Sequence, residues 1–156
     1  MININRKAFL DMIAASEIGS GLLAVSDNGY NVIVGSTAAK PDLFTSYAAH
    51  PHKLVKLSAH LSSTAAGRYQ LLGRYADAYI KSLGLPDFGP DSQNQIALQQ
   101  IRERAALPLI DGGQFALAVA RVSNIWASLP GANYGQHENK LAMLQAAYTD
   151  AGGVLA

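Results

Sequence analysis

The chain contains no cysteine. That excludes a disulfide framework, a thiol nucleophile and a thiolate metal site, so packing alone must hold the fold. Charge is also scarce, at 15% of residues with a formal net charge of +1. Basic residues such as Arg6, Lys7, Lys53, Lys56, Arg68, Arg74, Arg102 and Arg104 are scattered and form no run. A nucleic-acid partner is therefore not expected. Long apolar runs are missing as well. The stretch Ile18–Val25 falls far short of the roughly 20 residues that a bilayer requires. The apolar residues that follow Arg6 and Lys7 are interrupted by Asp11 and closed by Glu17, which reads as an amphipathic helix and not as a signal core. The expectation is a product made in the cytoplasm, with no signal peptide and no stable membrane insertion. The chain also lacks a Gly-x-Ser-x-Gly elbow, a glycine-rich phosphate loop before a lysine, and any internal repeat.

What remains is a 156-residue chain that is 49% apolar, with seven tyrosines against four phenylalanines and one tryptophan. This suffices for one domain, residues 1–156, with a substantial core. Residues 5–17 read as a helix, with Asn5 as its N-cap, Phe9, Met12, Ile13 and Ser16 on one face, and Gly19 and Gly21 at its end. Asp27-Asn28-Gly29 is a turn signal. Tyr30–Val34 reads as a strand closed by Gly35, with Leu43–Tyr47 returning beside it across a loop at Ser36–Asp42. Beyond His50-Pro51 the pattern becomes helical over Gly67–Leu83, from Pro90 through Ala105, over 114–127 and over 137–151. Many helices and one small sheet predict an α+β domain.

Glu17 draws attention on physical grounds. It lies at the C-terminal end of the first helix, beside Ala14, Ala15, Ser16 and Ile18, with no basic neighbour in sequence. The helix dipole and an apolar setting both disfavour its charged form, which is the property a general acid needs. The alternative is a solvated glutamate in the last helical turn. In Ala66–Gln70, Gly67 permits close backbone approach, and Tyr69 and Gln70 could offer a stacking face and an amide to an acetamido sugar. The alternative is a capped helix start with Tyr69 in the core. The loop Leu129–Gln136 places Tyr134 among glycines and a proline, as a ligand platform or a plain connector. His50, His52 and His60 match no metal-ligand spacing, so no metal site and no cofactor are expected.

In this order the segments resemble the lambda-type phage endolysins, lysozyme-like enzymes that act on murein. The resemblance rests on Arg6–Met12 leading to Ser16-Glu17, on Gly29–Gly35, Leu43–Thr45 and His50-Pro51, and on Ala66–Leu72, Ala97–Ile101 and Ser123–Gly131. It spans about residues 6 to 153. It implies a lysozyme-like domain with a small antiparallel sheet beside an active-site cleft. It implies Glu17 as catalytic acid and base, with Gly67, Tyr69, Gln70 and Tyr134 lining the cleft, and it puts Ser16 and Asn31 among the substrate-binding candidates. The implied activity is that of a lytic transglycosylase, which cuts between N-acetylmuramic acid and N-acetylglucosamine without water and leaves a 1,6-anhydromuramyl end. A monomer acting on peptidoglycan strands is expected, and the resemblance implies its release by a separate membrane-pore protein, a holin.

Three departures from the family pattern stand out. Ile18 separates Glu17 from Gly19 where the family commonly has Ser-Glu-Gly, the loop Ser36–Asp42 is longer, and Asn31 stands where relatives carry an aspartate. A two-carboxylate glycosidase would need a partner for Glu17. Asp11 lies six positions back, about 240° around the helix, and faces away. Asp27 and Asp42 remain for a hydrolytic muramidase. A non-catalytic peptidoglycan-binding module is a third reading, against which stands the presence of the acid itself.

Overall fold

The computed structural model describes residues 3–133 and 137–156. It divides into two compact units, one formed by the residues up to Glu17 together with those from Ala97 onward, the other by Ile18–Ile96. Among the described residues, the elements are α1 (Ile4–Glu17), α2 (Ser20–Ala24), β1 (Val55–Lys56), β2 (Ser62–Ser63), α3 (Gly73–Leu83), α4 (Pro90–Glu103), α5 (Leu107–Asp111), α6 (Phe115–Val122) and α7 (Leu141–Asp150). Among those residues, no helix is long and apolar enough to cross a membrane.

In the first unit, α1 is buried along Ala8, Phe9, Leu10, Met12, Ile13 and Ala14. Phe9 meets Phe115 of α6 and Tyr148 of α7 edge-on, at ring-centroid distances of 6.1 and 6.5 Å. Such contacts add to the area that the rings bury. The helix is capped by Asn3, whose Oδ1 accepts from the Asn5 N–H at 2.8 Å. Asn5 was the expected cap, but its side chain turns inward. Its Nδ2 donates to the carbonyls of Ile110 (3.1 Å) and Val154 (3.3 Å), and its Oδ1 accepts from the Val154 N–H (2.8 Å). One buried amide thus ties α1 to α5 and to the tail after α7. That tail lies so close to Tyr148 that a Cβ at Gly153 would sit 2.4 Å from its ring.

In the second unit, Leu71, Ala76, Phe88 and Ile96 form a core, with Phe44, Tyr79, Ile80 and Leu85 packed around it. The sheet is smaller and differently placed than the sequence suggests. β1 pairs antiparallel with β2 in the register Val55↔Ser63 and Lys56↔Ser62. The β-rich run at 30–34 forms isolated bridges instead, Val32↔Leu43 and Ile33↔Ala66. The expected pairing with the Leu43 segment is present, but Val34 N–H turns to the Ala65 carbonyl and Gly35, at φ 79°, ends the run. The helix expected from Gly67 begins at Gly73. Ala66 and Leu71 exchange two backbone hydrogen bonds (3.1 and 3.0 Å), so residues 67–70 close a tight hairpin. Likewise α4 stops at Glu103, because Ala105 takes the left-handed conformation (φ 54°), and the short α5 follows.

Replacing Asn5 with Ala leaves the Val154 N–H and two carbonyls without this partner inside the first unit. The expected loss is about 2–4 kcal/mol of stability, read from urea unfolding midpoints at constant slope.

Candidate active site

Glu17 is the last residue of α1. Its side chain keeps partial access to solvent, yet the surrounding protein pushes its pKa from 4.5 up to about 7. Burial is the largest cause. The Ser128 hydroxyl and backbone N–H, which hydrogen-bond the carboxylate, act in the opposite direction. Among the described residues, no charged group contributes to that shift, so Glu17 is an uncompensated carboxyl near the midpoint of its titration at neutral pH. That is the state from which one group can both give and take a proton.

The carboxyl is held by neutral groups of the same unit. Ser128 Oγ donates to Glu17 Oε1 at 3.1 Å and lies 2.8 Å from Ser16 Oγ. Asn139 Nδ2 donates to Ser16 Oγ (3.0 Å) and to the Ser16 carbonyl (3.2 Å), while its backbone N–H donates to the Ser128 carbonyl (2.8 Å). Ser128 sits between two deeply buried anchors, Trp126 and Leu129. The Trp126–Gly131 run therefore carries the group that bonds the acid. Sequence reasoning placed Ser16 among sugar contacts, whereas its hydroxyl belongs to this network. Ser128 was legible only as part of that run, and Asn139 carried no signal at all.

In the second unit, Gly67 has φ 83°, and a Cβ there would lie 2.4 Å from Gln93 Oε1. The close approach that Gly67 permits is thus to a buried protein amide. Gln93 Oε1 accepts from the Arg68 N–H (2.9 Å), and its Nε2 donates to the carbonyls of Phe88 (2.8 Å) and Tyr30 (3.0 Å). Tyr69 is buried, with its hydroxyl 2.6 Å from Asn94 Oδ1. Its ring belongs to the interior and presents no stacking face. Gln70, half-buried at φ 49°, donates its amide to the Gly67 carbonyl (2.9 Å). Among the described residues, its Oε1 accepts no hydrogen bond. Asn31 Oδ1 accepts from the Asp27 N–H at 2.9 Å and so braces the 27–31 turn. Tyr134 lies outside the described residues.

The other candidate carboxylates have partners of their own. Asp11 pairs with Lys7 (2.8 Å) and Asp42 with Lys53 (2.6 Å), while Asp27 accepts from the Tyr47 hydroxyl (2.5 Å). His50 is buried, which lowers its pKa, with Nε2 facing the Leu71 carbonyl at 2.8 Å and Nδ1 accepting from the His52 N–H. His52 pairs with Asp77 at 2.9 Å. Among the described residues, no group of three potential ligands could hold a metal.

This mostly helical α+β chain, whose first helix ends on Glu17, has a lysozyme-like fold. It superposes with a TM-score of 0.93 on bacteriophage lambda lysozyme complexed with a chitohexasaccharide, at 55% identity over 100% of this chain and 99% of that one. A second structure, lysozyme from bacteriophage lambda, gives a TM-score of 0.89 with the same coverage and identity. The chain is 56% identical to the endolysin of Escherichia phage lambda (99% of this chain, 95% of the relative) and 45% identical to that of Escherichia phage P2 (96% and 94%). The Endolysin family model matches residues 7–155, and the chain belongs to that family. It is a peptidoglycan-degrading enzyme.

The geometry yields two expectations. A methyl group at Gly67 meets Gln93 and must adopt a left-handed backbone, so Gly67→Ala should lower stability by about 1–3 kcal/mol, as thermal or urea unfolding would show. Glu17 contributes a pH dependence of known sign. Its folded pKa, about 7, lies above its ordinary value of 4.5. The folded chain thus keeps a proton that the unfolded chain has already released. The stabilising contribution is full below pH 4.5 and is lost as the pH rises through 7. Glu17→Gln should therefore match the wild type in stability near pH 4 and exceed it by about 1–3 kcal/mol above pH 8. Unfolding midpoints measured across that range test the sign.

Proposed function

We propose that the enzyme is a lytic transglycosylase, with Glu17 as its single proton-transferring group. The observation that carries the reading is the isolation of Glu17. It alone among the carboxyls considered combines a pKa near 7 with purely neutral partners, while Asp11, Asp27 and Asp42 each have a partner of their own. In the first step Glu17 gives its proton to the glycosidic oxygen and the bond from that oxygen to the muramyl anomeric carbon breaks. The substrate's acetamido group stabilises the oxocarbenium-like centre. In the second step the Glu17 carboxylate takes the proton of the muramyl ring's primary hydroxyl, whose oxygen bonds to the anomeric carbon. The 1,6-anhydro ring forms, no water is consumed, and Glu17 ends protonated as it began.

The chitohexasaccharide bound in the lambda lysozyme complex is a chain of acetamido sugars. A glycan ligand of the same chemistry suits the Oε1 of Gln70, a hydrogen-bond acceptor for a sugar N–H or O–H, and Tyr134 as a ring platform. Peptidoglycan strands are the proposed substrate. The protein acts on them as a monomer after a separate pore-forming protein gives it passage.

Digestion of purified peptidoglycan followed by mass spectrometry of the soluble muropeptides tests the reaction. The expected products are lighter by one water than reducing-end muropeptides, and Glu17→Gln abolishes them without impairing folding. Reducing-end products would instead make water the acceptor and turn attention to Asp27 and Asp42. Near-wild-type cleavage by Glu17→Gln would remove Glu17 from the mechanism.

A further inference from the structure

We propose that Asn139 is a positioning residue for the reaction: it sets the direction of a hydroxyl relay, Asn139–Ser16–Ser128, that donates into Glu17 Oε1 and thereby leaves Oε2 to carry the transferable proton. This rests on the assignment of Glu17 as the acid.

The direction follows from the groups involved. A carbonyl oxygen only accepts, so the atom of Asn139 that faces the Ser16 carbonyl at 3.2 Å must be the amide nitrogen. The same nitrogen lies 3.0 Å from Ser16 Oγ, which is thus an acceptor. The Ser16 hydroxyl proton then points to Ser128 Oγ, 2.8 Å away, and the Ser128 proton points to Glu17 Oε1, 3.1 Å away. Each hydroxyl takes one hydrogen bond and gives one. The reverse direction would place the Glu17 proton on Oε1, bound to Ser128, and would leave the Ser16 hydroxyl proton without an acceptor in the relay. Asn139 therefore disfavours the arrangement in which the acid's proton is held by the protein.

A simple structural role for Asn139 is also visible, since its backbone N–H clasps the Ser128 carbonyl. That bond survives substitution of the side chain, so the two roles separate experimentally. Most charged groups nearby in the chain have partners of their own. On α1, Lys7 and Asp11 pair with each other. On the segment before α7, Glu138 accepts from the N–H groups of Gly131 and Asn133 at 3.0 and 3.1 Å. His137 and Lys140 are the remaining titratable groups there.

The test is a 13C NMR titration of the Glu17 side-chain carboxyl in the full chain, beside the pH profile of peptidoglycan cleavage. Ser128→Ala removes the donor itself and should raise the titration midpoint by roughly one pH unit. Asn139→Ala should raise it by a smaller amount. The double variant should titrate like Ser128→Ala alone, because Asn139 acts only through the hydroxyls. The alkaline limb of the cleavage profile should move up with each midpoint while the maximal rate falls. If Asn139→Ala does not fold, Ser16→Ala interrupts the same relay one step nearer the acid and should show the same ordering. Midpoints unmoved in folded variants, or additive shifts in the double variant, would overturn the relay. The titration does not depend on turnover, so a Glu17→Gln variant that still cleaves would refute the acid assignment separately.

Discussion

An uncompensated carboxyl at the end of α1 is the constraint around which the first unit is organised. A cation beside Glu17 would steady the carboxylate but would pull its pKa down and remove the proton that catalysis needs. The protein supplies neutral donors instead. Ser128, set between the buried Trp126 and Leu129, meets Oε1, and Asn139 and Ser16 stand behind it. Such donors orient a carboxyl without neutralising it. The arrangement costs stability at neutral pH, where part of the Glu17 population is charged and buried, a familiar tension between a working site and a stable one. The rest of the unit offsets that cost by fixing α1 at its start and along its middle. Asn3 caps its start, Asn5 ties it to α5 and the tail, and the Phe9–Phe115–Tyr148 cluster packs its middle.

The second unit depends on a different buried group. The amide of Gln93 satisfies three backbone groups, those of Tyr30, Phe88 and Arg68. These belong to three separate stretches of the unit, of which only the first and third are also joined by an isolated bridge, Ile33↔Ala66. Gly67 makes the approach possible, and Arg68 lies over the Tyr30 ring with its centre 5.2 Å from the centroid. Tyr30 and Tyr69 both bring their hydroxyls to Asn94 Oδ1. The Gly-Arg-Tyr-Gln segment is thus chiefly a frame. Its glycine, arginine and tyrosine are committed inward, and Gln70 alone keeps an acceptor uncommitted among the described residues. In a domain with so little regular sheet, a polar network takes on the task that strand pairing has elsewhere, and its burial makes it intolerant of substitution.

The helices were legible in the sequence because their signals are local: apolar spacing along Phe9, Met12 and Ile13, the Gly84 stop, Pro90 at a helix start. Glu17 was legible for the same reason, as an acid at a helix end without basic neighbours, and the family resemblance gave it a role. The two-residue strands were not legible, since pairs so short carry no period. Nor was the hairpin at 67–70, since the apolar spacing through Leu72 and Tyr75 gives no sign that the helix begins only at Gly73. The close approach that Gly67 permits is to Gln93, far along the chain on α4, and no local pattern points to that partner.

By itself, then, the sequence determined the helical α+β character, the exclusion of cysteine chemistry and the identity of the candidate acid. Tertiary structure decided how that acid is held. Ser128 and Asn139 reach Glu17 and Ser16 across separations of 111 and 123 residues. No periodicity or motif spans such distances, because contacts of that range are set by how the helices pack and not by the order of residues within them.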